Sequence, residues 1–571
     1  MEVYKGAEAF VEVLNSFGVE YIFFNPGIDT VPVQVTVSRL RNEGKKAPGL
    51  VLCLDESVAM AAAYGHYGIS GKPQVVLVHR ELGTLQVGGQ MHNAYFGHIP
   101  VLLCAGSLAP TNRVTWTGEP YNPCYMTRNC VKWDYEMSSR DDIAEIAWKS
   151  LETAYSEPRA PVYLSTSVDA YGGSGSHFSI PLRQAVSQKA PDSGVLRKAA
   201  EILLAAEKPL ILAGNSGRHP EAVNALIELA EILGARVINS TVRVSFPTSH
   251  PLCAGVDPIG GGTRDTAGYF SAADALLLIE YDLPYAPFPL KPAERAKIVT
   301  IDLDLSKKAY PLWGRSAEAF IESESYPAIR GLTEVIKQML TEEKRRAIQE
   351  RVIQLRSEHQ HLKSGRIAMA KSRSSQKPIS PDWLCHCLAE MIHKDTIIVN
   401  QVITQSSSVF EQIDRSLPGT WLGCAGGSIG WALGAALGAK LAAPQKTVVS
   451  LMGDGAFIWG CPTATLWTAG SYQAPFLSVI FNNQSYGAIK GLVNRAYGDK
   501  GLNAKQAFDC GVEIAPPPDY ALIARACGAF GRTVNEPDEL IEAFREGFRE
   551  VESGRCAVLD IRLASQQRSV L

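Results

Sequence analysis

The feature that most restricts this chain is a repeated alternation of short apolar, β-rich runs with helical patterns. Twelve such runs are legible in the 571 residues. The first four are YIFFN (21–25), LVLCL (50–54), QVVLVH (74–79) and VLLCA (101–105). The next four are PLILAG (209–214), ARVINS (235–240), DALLLIE (274–280) and KIVTIDLD (297–304). The last are TIIVN (396–400), TVVSLM (447–452), PFLSVIF (475–481) and AVLDIRL (557–563). Runs apolar at successive positions suit strands buried on both faces. The helical segments between them supply the crossovers that parallel pairing needs. Two stretches punctuate the pattern: the turn-prone YGGSGSHFSIP (171–181), and a charged helical segment, 342–378, ending in KSRSSQKP. Three consecutive α/β domains with parallel sheets are therefore predicted, over 1–175, 191–345 and 376–571. A chain of this length is expected to hold roughly three or four domains. Their similar size and pattern leave room for distant internal duplication.

Composition removes several classes of function. The net charge of −3 gives no electrostatic reason to expect nucleic acid or a membrane surface as partner. No apolar run is long enough to span a bilayer. The opening MEVYKGAEAFVEVLNSFGVEY reads as an amphipathic helix rather than a signal peptide. Twelve cysteines occur without a C-x-x-C pair, so neither zinc nor a disulfide framework is expected, and a reducing, cytoplasmic setting is. The final Ser569-Val570-Leu571 lacks the basic middle residue of a peroxisomal signal.

Two run ends carry the chemistry. VVSLMGDGAFIWG (448–460) stops at Gly453-Asp454-Gly455, and FLSVIFNNQSYG (476–487) stops at Asn482-Asn483. Ligands of open parallel sheets bind beyond the carboxyl ends of strands. The glycines let a backbone approach such a ligand closely. An Asp carboxylate, an Asn carbonyl and a main-chain carbonyl are hard oxygen donors that suit Mg²⁺, which completes its shell with phosphate and water. Alone, G-D-G would be an ordinary capped turn. With N-N following, and the glycine-rich CAGGSIGWALGAALGAKLA (424–442) before both, a metal–phosphate site is the better reading.

This pairing resembles the metal and diphosphate motif of thiamine-diphosphate-dependent enzymes. The chain is similar to that superfamily over nearly its whole length. The similarity is to the group containing pyruvate decarboxylase, acetolactate synthase and benzoylformate decarboxylase. It implies pyrimidine-binding, central and diphosphate-binding domains in that order. It implies Mg²⁺ held by the side chains of Asp454 and Asn483 and the backbone carbonyl of Ser485. Gly455 and Ala456 would approach the diphosphate, with Thr404 and Gln405 of NQVITQSSS as its other contacts. Gly427 would accept a hydrogen bond from the aminopyrimidine. Ile429, stiff because β-branched, would wedge the cofactor into its bent shape. In LCLDESVAMAAAYGHYGISGKP (52–73), Glu56 starts a helix, where a carboxylate commonly complements the helix dipole. By the resemblance Glu56 instead bonds the pyrimidine N1′ and drives formation of the ylid. The family shares each site across a subunit interface, so a homodimer or homotetramer is implied.

Within the group the motifs lie nearest to benzoylformate decarboxylase. In VHRELGTLQVGGQMHNAYFGHIP (78–100), with its G-T and later N-A, His79 falls on that family's catalytic histidine. An imidazole titrating near neutrality can protonate or orient an intermediate; the bland alternative is a strand-end His bonded to nearby backbone. Ile489 matches its apolar pocket residue. There are departures. Ile28, in FNPGIDTVP, replaces a polar serine. No histidine stands near Asp282-Leu283. Leu492 replaces the acceptor-pocket tryptophan of acetolactate synthases. No flavin-type arginine signature is visible between 191 and 345, so FAD is not expected. Trp459, in the unusual FIWGCP, is read as shaping the substrate pocket. The expected activity is that of a carbon–carbon lyase decarboxylating a 2-oxo acid non-oxidatively through ylid and enamine. The alternatives are an acetolactate-synthase-like carboligase, making acyloins or acetohydroxyacids, and a 2-hydroxyacyl-CoA lyase. An inactive binding homologue is disfavoured because Glu56 and Asp454 are both present.

Overall fold

The structure is a computed structural model describing residues 4–107, 123–138, 141–173, 176–181, 190–257, 263, 266–281, 295–304, 317–498, 501 and 503–563. Asp282-Leu283 and the last three residues lie outside that set.

Three parallel six-stranded sheets follow one another along the chain, as the alternation predicts. The first contains β1 (Tyr21–Phe24), β2 (Gly49–Leu52), β3 (Gln74–Val78), β4 (Val101–Ser107), β5 (Trp133–Met137) and β6 (Val162–Ser167). The second contains β7 (Pro209–Ala213), β8 (Arg236–Asn239), β9 (Cys253–Val256), β10 (Ala275–Ile279), β11 (Lys297–Asp302) and β12 (Ala319–Glu322). The third contains β13 (Ile397–Gln401), β14 (Trp421–Gly423), β15 (Val448–Gly453), β16 (Leu477–Asn482), β17 (Phe530–Val534) and β18 (Ala557–Arg562).

Six strands are additional to the twelve predicted: β5, β6, β9, β12, β14 and β17. Five of them are sheet edges and short, β14 only three residues, so their apolar signal is weak. The sixth, β6, is interior but ends in Ser-Thr-Ser, which masks its burial. The charged helical segment also forms as predicted, as one helix over Glu342–Ser372.

The first and third sheets have the same strand order. The first runs β2-β1-β3-β4-β6-β5 and the third β14-β13-β15-β16-β18-β17. This is the physical content of the duplication that the sequence only allowed. Counterpart helices follow counterpart strands. The Glu56–Ser70 helix succeeds β2, and the Trp431–Ala442 helix succeeds β14.

These two helices pack directly on each other. The Glu56–Ser70 helix starts because the Asp55 carboxylate accepts hydrogen bonds from Ser57 N at 2.8 Å and Val58 N at 3.4 Å. It stops at Gly71, left-handed at φ +68°. Small residues line the contact. A Cβ on Gly65 would overlap the Ala435 carbonyl, and one on Gly438 the Ala62 carbonyl. The alanines bury little area each, so the joint depends on backbone-close packing, where dispersion accumulates. It fixes the first domain against the third.

Candidate active site

In both like sheets the order reverses beside the first strand, between β1 and β3 and between β13 and β15. A crevice at such a switch point is where open sheets bind ligands.

In the third domain, Gly453 of β15 lies in register with Phe481 of β16, so Asp454 and Asn483 leave adjacent strands side by side. Asp454 is buried and begins the Asp454–Trp459 helix. Its Oδ1 accepts from Gly455 N at 2.9 Å. Its Oδ2 is buried with no hydrogen-bond partner among the described residues. Burial pushes this carboxyl up to about 6, against the hydrogen bonds from the Gly455 and Gln484 backbone. Asn483 and Ser485 are buried beside it, and Asn483 Oδ1 accepts from Ser485 N at 3.1 Å. Gln484 between them is left-handed at φ +56°.

The loop is braced from a segment with no sequence signal. Ile514 N donates to Gln484 O at 2.8 Å, and Tyr486 N donates to Val512 O at 2.9 Å. Tyr486 lies over Gly455, whose Cβ would sit 2.8 Å from its ring. Thr404 closes the same corner: a Cβ on Gly487 would meet both Thr404 Cγ2 at 2.7 Å and Asn483 Nδ2 at 2.8 Å. Gln405 is buried, with its Nε2 unpartnered among the described residues. Ala456 is buried one residue past Gly455.

An unsatisfied buried carboxylate oxygen beside an amide oxygen and an unsatisfied buried amide donor fits a cation and a phosphate group together. Among the described residues no group of three His, Cys, Asp or Glu side chains could hold a metal. The donor set expected from the sequence has only one carboxylate and so falls outside that grouping.

Gly427 sits at φ +82° with open space where a side chain would stand. Ile429, next but one, packs at the margin of the core. Residues that sequence reasoning left unassigned hold this loop. Asn93 Nδ2 donates to Ser428 O, and Gln401 Nε2 to the same oxygen, both at 2.9 Å. Gln90 Nε2 donates to Ile429 O at 3.3 Å. The N-A pair of the 78–100 stretch was the available signal for Asn93. Trp459 and Gly460 present backbone to the same loop: a Cβ on Gly430 would lie 2.6 Å from Trp459 C. The FIWGCP segment thus supports the loop with its backbone, while the Trp459 side chain is largely exposed.

In the first domain Glu56 is half-buried. Its Oε1 lies 3.2 Å from where a Cβ on Gly83 would be. Gly83 lies in the helix Arg80–Gln86 that directly follows His79, its N donating to His79 O at 2.8 Å, so Glu56 rests against the helix that His79 precedes. His79 leaves the end of β3 and its Nδ1 is hydrogen-bonded to Asp29. Asp29, in the loop after β1, was not singled out by the sequence. Ile28 beside it, Trp459 and Ile489 are 77 %, 60 % and 52 % exposed. The described hydrogen bonds and contacts do not join Glu56 to Asp454 within one chain.

A glycine-flanked carboxylate with one oxygen open, at the carboxyl edge of a parallel sheet, stands where α/β enzymes bind their ligands. The chain belongs to the thiamine pyrophosphate enzyme family. Residues 4–119 match its N-terminal TPP binding domain, 196–313 its central domain and 403–561 its C-terminal TPP binding domain. Benzoylformate decarboxylase of Pseudomonas aeruginosa is 26% identical, over 84% of this chain and 86% of its own. Acetolactate synthase isozyme 3 large subunit of Escherichia coli is 24% identical, over 98% of this chain and 95% of its own. Among solved structures, the thiamine diphosphate-dependent 4-hydroxybenzoylformate decarboxylase of Rhodococcus jostii superposes with TM-score 0.79 at 21% identity, covering 99% of this chain and all (100%) of that one. No helix among the described residues is long and apolar enough to cross a membrane.

Proposed function

We propose that this protein is a carbon–carbon lyase that decarboxylates a 2-oxo acid non-oxidatively and releases an aldehyde. The observation that carries this reading is that Glu56 rests against the helix that directly follows His79, near the switch point of the first sheet. A carboxyl and an imidazole carried by neighbouring elements can act as two separate proton carriers.

When bound, thiamine diphosphate would supply the nucleophilic carbon and the electron sink that decarboxylation of a 2-oxo acid needs. Glu56 holds a proton against the pyrimidine N1′. Asp454, Asn483 and the Ser485 carbonyl hold Mg²⁺. Gly455, Ala456, Thr404 and Gln405 receive the diphosphate. Gly427 takes the amino group, and Ile429 supports the bent cofactor. His79 returns a proton to the product carbon. A second copy of the chain completes each site, which accounts for the open apolar side chains of Ile28, Trp459 and Ile489. These three line the substrate pocket. All twelve cysteines are free, which fits the cytoplasm.

The second reading is a carboligase, in which a carbonyl acceptor rather than a proton reaches the same carbon. Acetolactate synthase stands among the relatives at comparable identity, 24% against 26% for the benzoylformate decarboxylase, which supports it. Incubating the metal-loaded holoenzyme with a panel of 2-oxo acids, with and without an aldehyde acceptor, separates the two by product mass. Aldehyde as main product supports the lyase. Acyloin or 2-hydroxy-2-alkyl-3-oxo acid as main product overturns it. Glu56→Gln is expected to slow deuterium exchange at C2 of bound cofactor by orders of magnitude.

A further inference from the structure

The pairing of Asp29 with His79 is built by three separate segments. Asp29 is 3 % exposed at the end of the first strand's loop, and His79 stands at the end of the neighbouring strand β3. One carboxylate oxygen of Asp29 meets His79 Nδ1. The other accepts from the Arg80 backbone N at 3.4 Å. That amide turns inward because Arg80 is left-handed, at φ +46°, a conformation non-glycine residues rarely hold without a compensating contact. The packing leaves no spare room. A Cβ on Gly27 would overlap the His79 ring, and a Cβ on Gly106, in β4, would overlap the Asp29 carboxylate. Thr30 fixes the loop, its Oγ1 accepting from Gly27 N at 3.0 Å and donating to Gly27 O at 2.8 Å.

We infer that Asp29 is the positioning residue for His79, accepting a hydrogen bond from Nδ1–H so that Nε2 alone exchanges a proton with substrate. The inference rests on the lyase reading for its kinetic consequence. Its structural part concerns only this chain. Imidazole has two nitrogens, and the partner of one decides what the other can do. With Nδ1–H committed to a carboxylate, Nε2 is a lone pair in the neutral ring and a donor in the protonated ring. The His79 side chain keeps 30 % of its surface open, so this second nitrogen is reachable. A carboxylate can only accept, which enforces one tautomer. An amide at the same place can donate to Nδ1 and permits the opposite one.

Two measurements test this. In enzyme labelled with ¹⁵N-histidine, the wild type is expected to show His79 as the Nδ1–H tautomer, with a downfield proton absent from His79→Gln. A wild-type His79 carrying its proton on Nε2 overturns the inference, and this measurement leaves Asp29 untouched should Asp29→Asn fail to fold. In Asp29→Asn the tautomer is expected to reverse; the same tautomer in both proteins also overturns it. The kinetic arm is a double-mutant cycle. Asp29→Asn should lower kcat about 100-fold with KM changed by less than about threefold, and should change kcat by less than about threefold in a His79→Ala background. Equal losses in both backgrounds mean that Asp29 acts independently of His79 and overturn the inference. If the product panel instead identifies a carboligase, the lyase reading falls while the tautomer result stands or falls by itself.

Discussion

Asn93 grips Ser428 by both edges of one amide. Its Nδ2 donates to Ser428 O and its Oδ1 accepts from Ser428 N, each at 2.9 Å. The side chain comes from the first domain and the backbone from the third. Ser428 lies between Gly427 and Ile429, so this one side chain sets the height of the loop proposed to carry the cofactor's pyrimidine. Asn93→Ala should cost about 1–3 kcal/mol by leaving buried partners unsatisfied. The affinity for thiamine diphosphate should fall by about tenfold or more, the equivalent of 1.4 kcal/mol. Titration calorimetry of cofactor binding checks it; an unchanged dissociation constant refutes the role.

The docked helices give a stability prediction of definite sign. Gly65→Ala improves helix propensity by about 1 kcal/mol. The new methyl would overlap the Ala435 carbonyl, which cannot move without breaking the helix contact. Overpacking of this kind costs about 1–3 kcal/mol and here acts on backbone, so the net effect is destabilising. Denaturant midpoints should fall. A rise would mean that the two helices separate easily.

Asp454→Asn should separate folding from loading. The carboxylate is buried with one oxygen unpartnered, so a neutral amide of the same shape has less to desolvate. Cofactor-free stability should hold or rise. Retention of Mg²⁺ and thiamine diphosphate through gel filtration should be lost. Loss of fold together with loss of binding would show that Asp454 has a structural task instead.

His66 makes an acid-sensitive contribution. It is fully buried in the Glu56–Ser70 helix, with Nε2 3.2 Å from Glu20 Oε2. Desolvation pushes its imidazolium down to about 4, with Lys72 assisting and Glu20 opposing. The folded value lies below the unfolded one, so the unfolded chain binds the extra proton. Stability from this group is present above about pH 6.5 and is lost as pH falls towards 4, by at most about 3 kcal/mol. Urea midpoints at pH 7 and pH 4.5 should converge in His66→Gln relative to wild type. An equal pH slope in both proteins counts against it.

The interior strands, the long charged helix and the strand-end motifs were legible because each is written locally. A buried parallel strand needs a run of apolar residues, and a strand-end turn needs its glycines within a few positions. Edge strands such as β14 and β17 were not: β14 is only three residues long, and β17 is partly open and needs less apolar sequence. The FIWGCP segment was read as pocket wall. Its backbone also supports the loop at Gly430, a contact that no side-chain pattern encodes.

By itself, therefore, the sequence determined three parallel α/β domains and the two adjacent strand ends at Asp454 and Asn483. Both follow from short-range rules of burial and turn geometry. Only the tertiary structure decided that Asp29 holds His79, that Asn93 holds Ser428, and that Glu56 rests against Gly83. The first two join residues 50 and 335 positions apart. Such pairs have no local signature, because the sheet order and the glycine-packed helices, rather than chain proximity, bring them together.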